Sequence, residues 1–520
     1  MTVRAADARA AGSADGGRDV PAARARRWIH QRRLAAGGRR VSWSSLYVTA
    51  LTVTVTVGIF GQRLLGVTWP ARPVPLTGPE GAAGLARLAL IGLAAYLLLR
   101  RTGPLAISRA HLTWLFLAPV SRRGLLLPGL LGVVAVGATV GGVLAVAAVG
   151  RSADRPIGAD TWWAAVPFGV CCGALAGLVA VAGQRRALVG RIADLVAAGC
   201  AVPLVATAVG AWHPGPLLVA LTGRLPILAV VTLVAAVGLL AGSVRMVAGF
   251  PSHRVHDASA LRGSLLDAAV SAEPTFLVDL AADRSWRHRV LRSAPIRRVA
   301  GLPVSFGPDL LVLRRRPARL GWLAVAALAP AVLAAGPRWL LVTGLLAGAL
   351  FAAETTLDAA GRDSGNPALL RLLGLTGRQA LAGRLVVPVL LAAAWTAGAL
   401  AVPALLGQLP SGPWWALGLA LGPTAAVAAL RRSRTGYVRH DLMPIETPMG
   451  SLATGPLLWL LAGVDLLVLL SVPTLLVLFG GSTPSWATVL TQAVLATAGL
   501  VTYLVTSTDR LDSRLSTTRP

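Results

Sequence analysis

The chain has 520 residues, of which 55% are hydrophobic, 13% charged and 5% aromatic, with a mean hydropathy of +0.68. An ordinary soluble domain carries about 25% charged residues, so a soluble globular protein is excluded, and three cysteines do not support a disulfide framework, zinc ribbon or iron–sulfur site. There is no lysine: all 49 Lys+Arg residues are arginine and carry the net charge of +28, which rules out a Walker A lysine and a Schiff base on this chain.

Residues 1–41 are rich in Ala, Gly and Arg and lack an apolar core followed by a cleavage site, which reads as a basic cytoplasmic tail and not a signal peptide. The tail ends in an interfacial segment, Arg24 to Arg40, where Trp28 and Ile29 dip into the headgroups. A crossing helix needs about 20 apolar residues. Runs of that kind place spans at 42–62, 84–99, 125–149, 161–183, 192–212 and 226–247. A second set falls at 320–336, 339–353, 385–403, 413–430, 454–479 and 486–507, with only Gly336, Pro337 and Arg338 separating its first two members. Between the sets, residues 248–319 form a cytoplasmic linker, and 508–520 a cytoplasmic tail. Within the linker, Ala258 to Leu280 predicts a helix broken at Glu273-Pro274, and Arg284 to Arg289 is a basic cluster. Pro308 to Arg316 suits an interfacial helix, with Asp309 near its N-terminus and its arginines snorkelling.

Arginine placement sets the direction of the spans, because cytoplasmic loops hold the excess of positive charge. With the N-terminus inside, 42 of the 49 arginines fall on one side. The other side keeps Arg63, Arg72, Arg87, Arg151, Arg155, Arg224 and Arg338. The predicted architecture is an all-α polytopic membrane protein of about twelve transmembrane helices, multi-pass in a bacterial plasma membrane, with both termini cytoplasmic. The charge then reflects topology and contact with anionic membrane lipids, with no nucleic acid partner.

Landmarks recur in one order along the two sets. Leu117 to Arg123 precedes the third span and Leu372 to Arg378 the ninth, an offset of 255 from Ser121 to Thr376. Trp162-Trp163 opens the fourth span and Trp414-Trp415 the tenth, an offset of 252. Asp194 then Val202-Pro203 in the fifth span corresponds to Asp465 then Val472-Pro473 in the eleventh. These matches predict two parallel six-helix repeats, residues 42–247 and 320–507, related by an axis along the membrane normal.

Ionisable groups at membrane depth are functional candidates because their burial is costly. Asp194, Asp465 and Glu354 are the candidates, with Asp465 the deeper and Asp194 placed to pair with Arg191. Gly137/Gly141, Gly169/Gly173/Gly177 and Gly418/Gly422 are small-residue ladders that let helices approach closely. Cys171, Cys172 and Cys200 lie in apolar spans as inert thiols, and His253, His256 and His288 have no carboxylate constellation around them. No catalytic, metal or cofactor site is expected.

Trp114 to Pro128, a leucine-rich segment running through Pro119, Ser121, Arg122 and Arg123 straight into a long span, resembles the loop of type 2 exporter permeases of the ATP-binding-cassette superfamily, particularly actinobacterial ones. The resemblance is specific over about residues 105–130 and loose elsewhere. It implies a six-span unit that dimerises and whose loop between the second and third spans contacts an ATPase; here two such units are fused in one chain. The implied partner is a cassette ATPase subunit, as two copies or a heterodimer. The second copy departs from the pattern, because Gly374 replaces the proline and Thr376-Gly377-Arg378 replaces Ser-Arg-Arg. A permease that cannot hydrolyse ATP needs a rigid cytoplasmic element joined to a span without slack, and 108–118 and 367–375 are the segments read as such short apolar helices, or as membrane-surface helices. The alternatives are a secondary transporter with six-plus-six repeats and an integral-membrane transferase; the latter is disfavoured because the outer loops hold only Glu80, Asp154 and Asp160 as acids.

The topology is checked by cysteine labelling. Positions 78, 411 and 483 are expected to label in intact cells, and 364 and 433 only after permeabilisation. Labelling of position 364 in intact cells overturns the twelve-span arrangement with both ends inside.

Overall fold

The computed structural model describes residues 24, 27–28, 31, 78–107, 109–114, 121–150, 159–271, 306–315, 317–334, 336–357, 360, 363, 372, 374, 376–435, 445–447, 450–452, 458 and 461–516. These residues are helical apart from turns and one short hairpin. The chain divides into two compact units, residues 1–266 and 267–520.

The first unit contains α1 (Pro79–Thr102), α2 (Arg109–Trp114), α3 (Arg122–Gly150), α4 (Ala159–Arg185), α5 (Ala187–Ala208), α6 (Gly215–Gly223) and α7 (Leu225–Met246), followed by α8 (Ser252–Ser271), whose last residues run past the unit boundary. Helix α1 opens with a proline, where a missing N–H costs nothing, and stops at Gly103 with φ +81°. Helix α4 packs on α3, α7 and α1, while α1 also packs on α5. An apolar solvent supplies little drive for apolar helices to associate, so close approach of backbones decides the crossing. Gly137 and Gly141 of α3 meet Gly173 and Gly169 of α4 there; a Cβ on Gly141 would lie 2.0 Å from the Gly169 carbonyl oxygen, and one on Gly137 2.4 Å from that of Gly173. Leu188, Ile192, Leu195 and Val202 on α5, with Ile227, Val230 and Val234 on α7, are exposed, a surface suited to lipid. At the far end from the Arg100-Arg101 pair, Arg87 of α1 donates through Nη2 to the Ala208 carbonyl at 3.0 Å, on the last residue of α5.

The second unit contains α9 (Phe306–Arg315), α10 (Pro317–Ala326), α11 (Ala329–Ala334), α12 (Arg338–Glu354), α13 (Gly377–Leu405) and α14 (Trp414–Arg434). A hairpin of β1 (Ile445–Thr447) and β2 (Gly450–Leu452) follows, antiparallel with Ile445 opposite Leu452, and then α15 (Val464–Leu470), α16 (Val472–Gly480) and α17 (Trp486–Ser516). Helix α14 is the centre: Leu417, Leu421 and the run Ala425 to Leu430 are buried against α12, α13 and α17. Gly418 and Gly422 sit against Ala397 and Ala393 of α13, and the buried Thr396 hydroxyl donates across to the Gly418 carbonyl at 2.6 Å. Trp415 meets Trp486 edge-on at 6.3 Å, while Trp414 is buried with its indole N–H on the Pro410 carbonyl at 2.6 Å. Arg338 Nη1 donates to the Phe479 carbonyl at 2.7 Å, near the end of α16.

Among the described residues seven helices are long and apolar enough to cross a membrane: α1, α3, α4, α5, α7, α13 and α17. Helix α9 with α10 and α11 makes an eighth candidate, bent by 84°. The expected span at 42–62 lies outside the described residues. The one at 339–353 is α12, of 17 residues, and the one at 413–430 is α14, whose last turn holds Arg431, Arg432 and Arg434. Two others are interrupted. The 320–336 run breaks at Ala327-Leu328 because Pro330 has no N–H to offer the Ala326 carbonyl, and the 454–479 run breaks at Ser471, where Pro473 imposes the same loss. Of the helix read at 258–280, the described part starts earlier, at Ser252 directly after Pro251, and runs to Ser271, while Glu273-Pro274 lies outside the described residues. Its Arg254 and Ser259 bond to Gln184 and Ile107 in the first unit.

Gly141→Val is expected to lower the thermal midpoint of the detergent-solubilised protein, by about 1–3 kcal/mol of stability, because α3 and α4 must separate to admit the side chain. Gly132→Ala, where a Cβ meets nothing within 4 Å, leaves the midpoint unchanged or slightly higher. Equal loss from both variants removes the close crossing as the cause.

Candidate functional site

The segment after α1 is held more firmly than a loop of its length requires. Gln184, near the end of α4, is 7% exposed and brackets Leu105: its Oε1 accepts from the Leu105 N–H at 2.9 Å and its Nε2 donates to the Leu105 carbonyl at 3.1 Å. Gln184 Nε2 also reaches the Arg254 carbonyl at 3.3 Å, and Arg254 Nη1 returns to the Gln184 carbonyl at 2.6 Å. The buried Ser259 hydroxyl accepts from the Ile107 N–H at 2.9 Å, and Arg262 touches the Ala106 carbonyl at 3.4 Å. Helix α8 therefore reads this strand-like stretch residue by residue. Gly103 completes the join, because a Cβ there would lie 2.6 Å from Ala258 Cβ. Residues 103–107 thus couple the ends of α1 and α4 to α8 through backbone groups, a connection without slack.

Beyond it lies the motif singled out in the sequence. Pro119 falls outside the described residues, as does most of 115–120. Ser121 stands immediately before α3, where its carbonyl accepts from the Leu125 N–H at 3.2 Å, and Arg122 and Arg123 are exposed in the first turn. Of the segment read as a helix over 108–118, the described residues Arg109–Trp114 are helical, with Trp114 exposed, and the rest lies outside the described residues. In the second unit Thr376 caps α13: its hydroxyl accepts from the Gln379 N–H while the Gln379 side chain accepts from the Thr376 N–H, a capping box. Arg378 is exposed beside it, and 367–375 lies almost wholly outside the described residues. In both units the hydroxyl residue of the motif, Ser121 or Thr376, sits one position ahead of a 29-residue helix.

The three acidic candidates are all ion-paired, Asp465 and Glu354 at helix ends and Asp194 two turns inside α5. Asp194 meets Arg100 Nε at 3.6 Å and not Arg191. Arg100 reaches it because Gly183 and Gly190 leave a passage; a Cβ on Gly190 would lie 1.8 Å from Arg100 Nη2. The side chains of Asp465 and Asp194 are 47% and 50% exposed, and Asp465 stands at the start of α15, directly after the positive-φ Gly463. Its carboxylate takes Arg431 at 2.9 Å and the Gly463 N–H at 3.1 Å. Glu354, at the end of α12, meets Arg432 Nε at 3.2 Å.

Sequence reasoning missed a fourth cluster. Asp309, read as lying near the N-terminus of an interfacial helix, is 1% exposed and is bound by Arg384 of α13, whose Nε also donates to Asp363 at 2.9 Å. Only the separation of Asp309, Asp363 and Arg384 in sequence hid it. Gln492 was missed too: it accepts from the Thr474 hydroxyl at 2.9 Å and donates to the Leu470 carbonyl at 2.7 Å, bridging the break between α15 and α16. Among the described residues no three His, Cys, Asp or Glu side chains gather as a metal site.

A family of unknown function (DUF6297) matches residues 79–436, more than two thirds of the chain. The chain belongs to this family. The match begins with α1 and ends just past α14, so it takes in the Gln184 clamp, both hydroxyl–arginine motifs and the Asp309 cluster, and leaves Asp465 outside. No curated protein and no solved structure matches the chain.

Gln184→Ala strands both backbone groups of Leu105 and is expected to cost about 2–4 kcal/mol. Hydrogen exchange over 103–107 should rise well above that of α4 itself. Unchanged exchange there would mean that Ser259 and Arg262 suffice to hold the segment.

Proposed function

We propose that the chain is the membrane-spanning permease subunit of an ATP-driven exporter in a bacterial plasma membrane, receiving mechanical work from a separate cassette ATPase on its cytoplasmic face. The observation that carries this reading is the clamp on residues 103–107. An ATPase that pushes on the loop between the second and third spans moves helices only if the loop is stiff, and here Gln184 and Ser259 bond its backbone directly to α4 and α8, while Arg254 ties α8 to the Gln184 carbonyl. The absence of lysine removes the alternative of hydrolysis by this chain through a Walker A loop.

Support for two parallel six-span repeats, twelve spans in all, comes from contacts as well as sequence. In the first unit α4 packs on α1, α3 and α7; in the second α14 packs on α12, α13 and α17, the same positions in order. Arg87 bonds the last carbonyl of the fifth span and Arg338 a carbonyl near the end of the eleventh, with Ala208 and Phe479 separated by 271 residues, as are Asp194 and Asp465. The interrupted α10–α11 and α15–α16 pairs and the short α12 take the places of the seventh, eleventh and eighth spans in this count. The second coupling loop, at Thr376 and Arg378, is the degenerate one.

A secondary transporter with the same six-plus-six plan is the second reading, favoured by one observation, the buried carboxylate of Asp309. The half-exposed, arginine-paired Asp194 and Asp465 do not supply the central titratable group such a transporter uses.

Charge reversal tests the ATPase contact. Arg122→Glu with Arg123→Glu is expected to leave membrane insertion intact, since many other arginines keep that side in, and to weaken recovery of the ATPase on pull-down, because attraction at a desolvated contact becomes repulsion worth several kcal/mol. Arg378→Glu has the smaller effect. Equal ATPase recovery from wild type and the double variant, normalised to membrane level, overturns the coupling role of this loop.

A further inference from the structure

Helix α9 is joined to α13 by charge. Arg384 stands between Asp309 and Asp363, and these two carboxylates are the charged groups that act on one another through it. Fully ionised, the trio carries one negative charge in excess. Asp363 is 33% exposed and keeps contact with solvent, but Asp309 is 1% exposed and its Oδ2 has no hydrogen-bond partner among the described residues. The other charged groups described on the packed elements are Arg314 and Arg315 of α9, Arg319 of α10 and Arg378 of α13: Arg319 donates to the Thr355 carbonyl at 3.4 Å, Arg314 and Arg378 are exposed and Arg315 is half-buried, while the charged groups that act on the Asp309 carboxyl are Arg384 and Asp363. A buried oxygen that bears net negative charge and accepts nothing is a costly arrangement, and one added positive charge of atomic size removes the cost.

We infer that Oδ2 of Asp309 is a proton-binding site, and that proton uptake there tightens the docking of α9 on α13, making this helix a pH-sensitive strap at the arginine-rich end of the second unit. The protonated trio is neutral, and Arg384 keeps its bonds to Asp309 Oδ1 and to Asp363. Helix α9, of 10 residues, enters the eighth crossing candidate only across the 84° bend and is too short to cross by itself. Burial raises the Asp309 carboxyl from 3.8 to about 6; Arg384 opposes the rise and Asp363 adds to it. The docked state therefore binds the proton more tightly than the undocked state, so docking is favoured as pH falls through 6 and loses that advantage as pH rises.

Hydrogen exchange of residues 306–315 in the full-length, detergent-solubilised protein measures the docking, and requires neither a transport substrate nor an ATPase. After correction for intrinsic exchange, protection in wild type is expected to be about tenfold greater at pH 5 than at pH 8, the change that a carboxyl moved from 3.8 to about 6 confers. Asp309→Asn, which keeps an acceptor for Arg384 and neutralises the trio, should hold the pH 5 level at both values. Asp363→Asn removes the smaller of the two causes that raise the Asp309 carboxyl and leaves its burial in place, so it should reduce the pH dependence without abolishing it; that reduction decides the matter if Asp309→Asn does not fold. A pH-independent wild type, a tenfold change that persists in folded Asp309→Asn, or an unreduced change in Asp363→Asn overturns the proton site.

Discussion

Each interruption of a helix among apolar side chains strands backbone N–H and C=O groups that water does not reach, and several polar side chains among the described residues meet that demand. Gln492 takes up the Leu470 carbonyl where Pro473 ends α15. Gln184 satisfies both backbone groups of Leu105 where α1 has ended and no second strand is present to pair with it. Arg87 and Arg338 do the same for carbonyls at or near the ends of α5 and α16. Since an unmade bond costs more in such surroundings than a made one contributes, these side chains fix where the chain bends.

The same constraint explains why the acids are few and paired. Arginine's guanidinium stays charged in any surroundings and offers five donors, so one residue serves a carboxylate and a backbone carbonyl, or two carboxylates at once. Arg384 does the latter for Asp309 and Asp363. Arg431 and Arg432, adjacent at the end of α14, take Asp465 and Glu354 and so tie α15 and α12 to the buried central helix. Pairs as exposed as Arg431–Asp465 contribute little to stability, and their value is in orienting helix ends.

Packing and stiffness meet at the first unit's arginine-rich end. The glycine crossing of α3 and α4 makes those two helices move together, and the Gln184 clamp hands that motion to α8 and the 103–107 segment. A push at either place is transmitted, because backbones in van der Waals contact and bonded backbone groups have nowhere to yield. In the proposed exporter this is the route from ATPase to membrane path.

Much of this was legible in the sequence. Composition alone, with 13% charged residues and no lysine, places the chain among helical proteins suited to a bilayer, and the helices α1, α3, α4, α5, α7, α13 and α17 fall where hydropathy puts them, because a long apolar run has no other way to satisfy its backbone. The glycine ladders were legible too, since only glycine permits the spacing they create. What the tertiary structure decided were the partners: that Asp194 meets Arg100 and not Arg191, that Asp309 is buried under Arg384, that Gln184 holds Leu105, and that the runs at 320–336 and 454–479 are interrupted. Each depends on a residue 75 or more positions away, or on whether a neighbouring helix supplies the bond a proline removes. Hydropathy measures what a segment loses by leaving water, and it carries no information about which distant side chain arrives to take water's place.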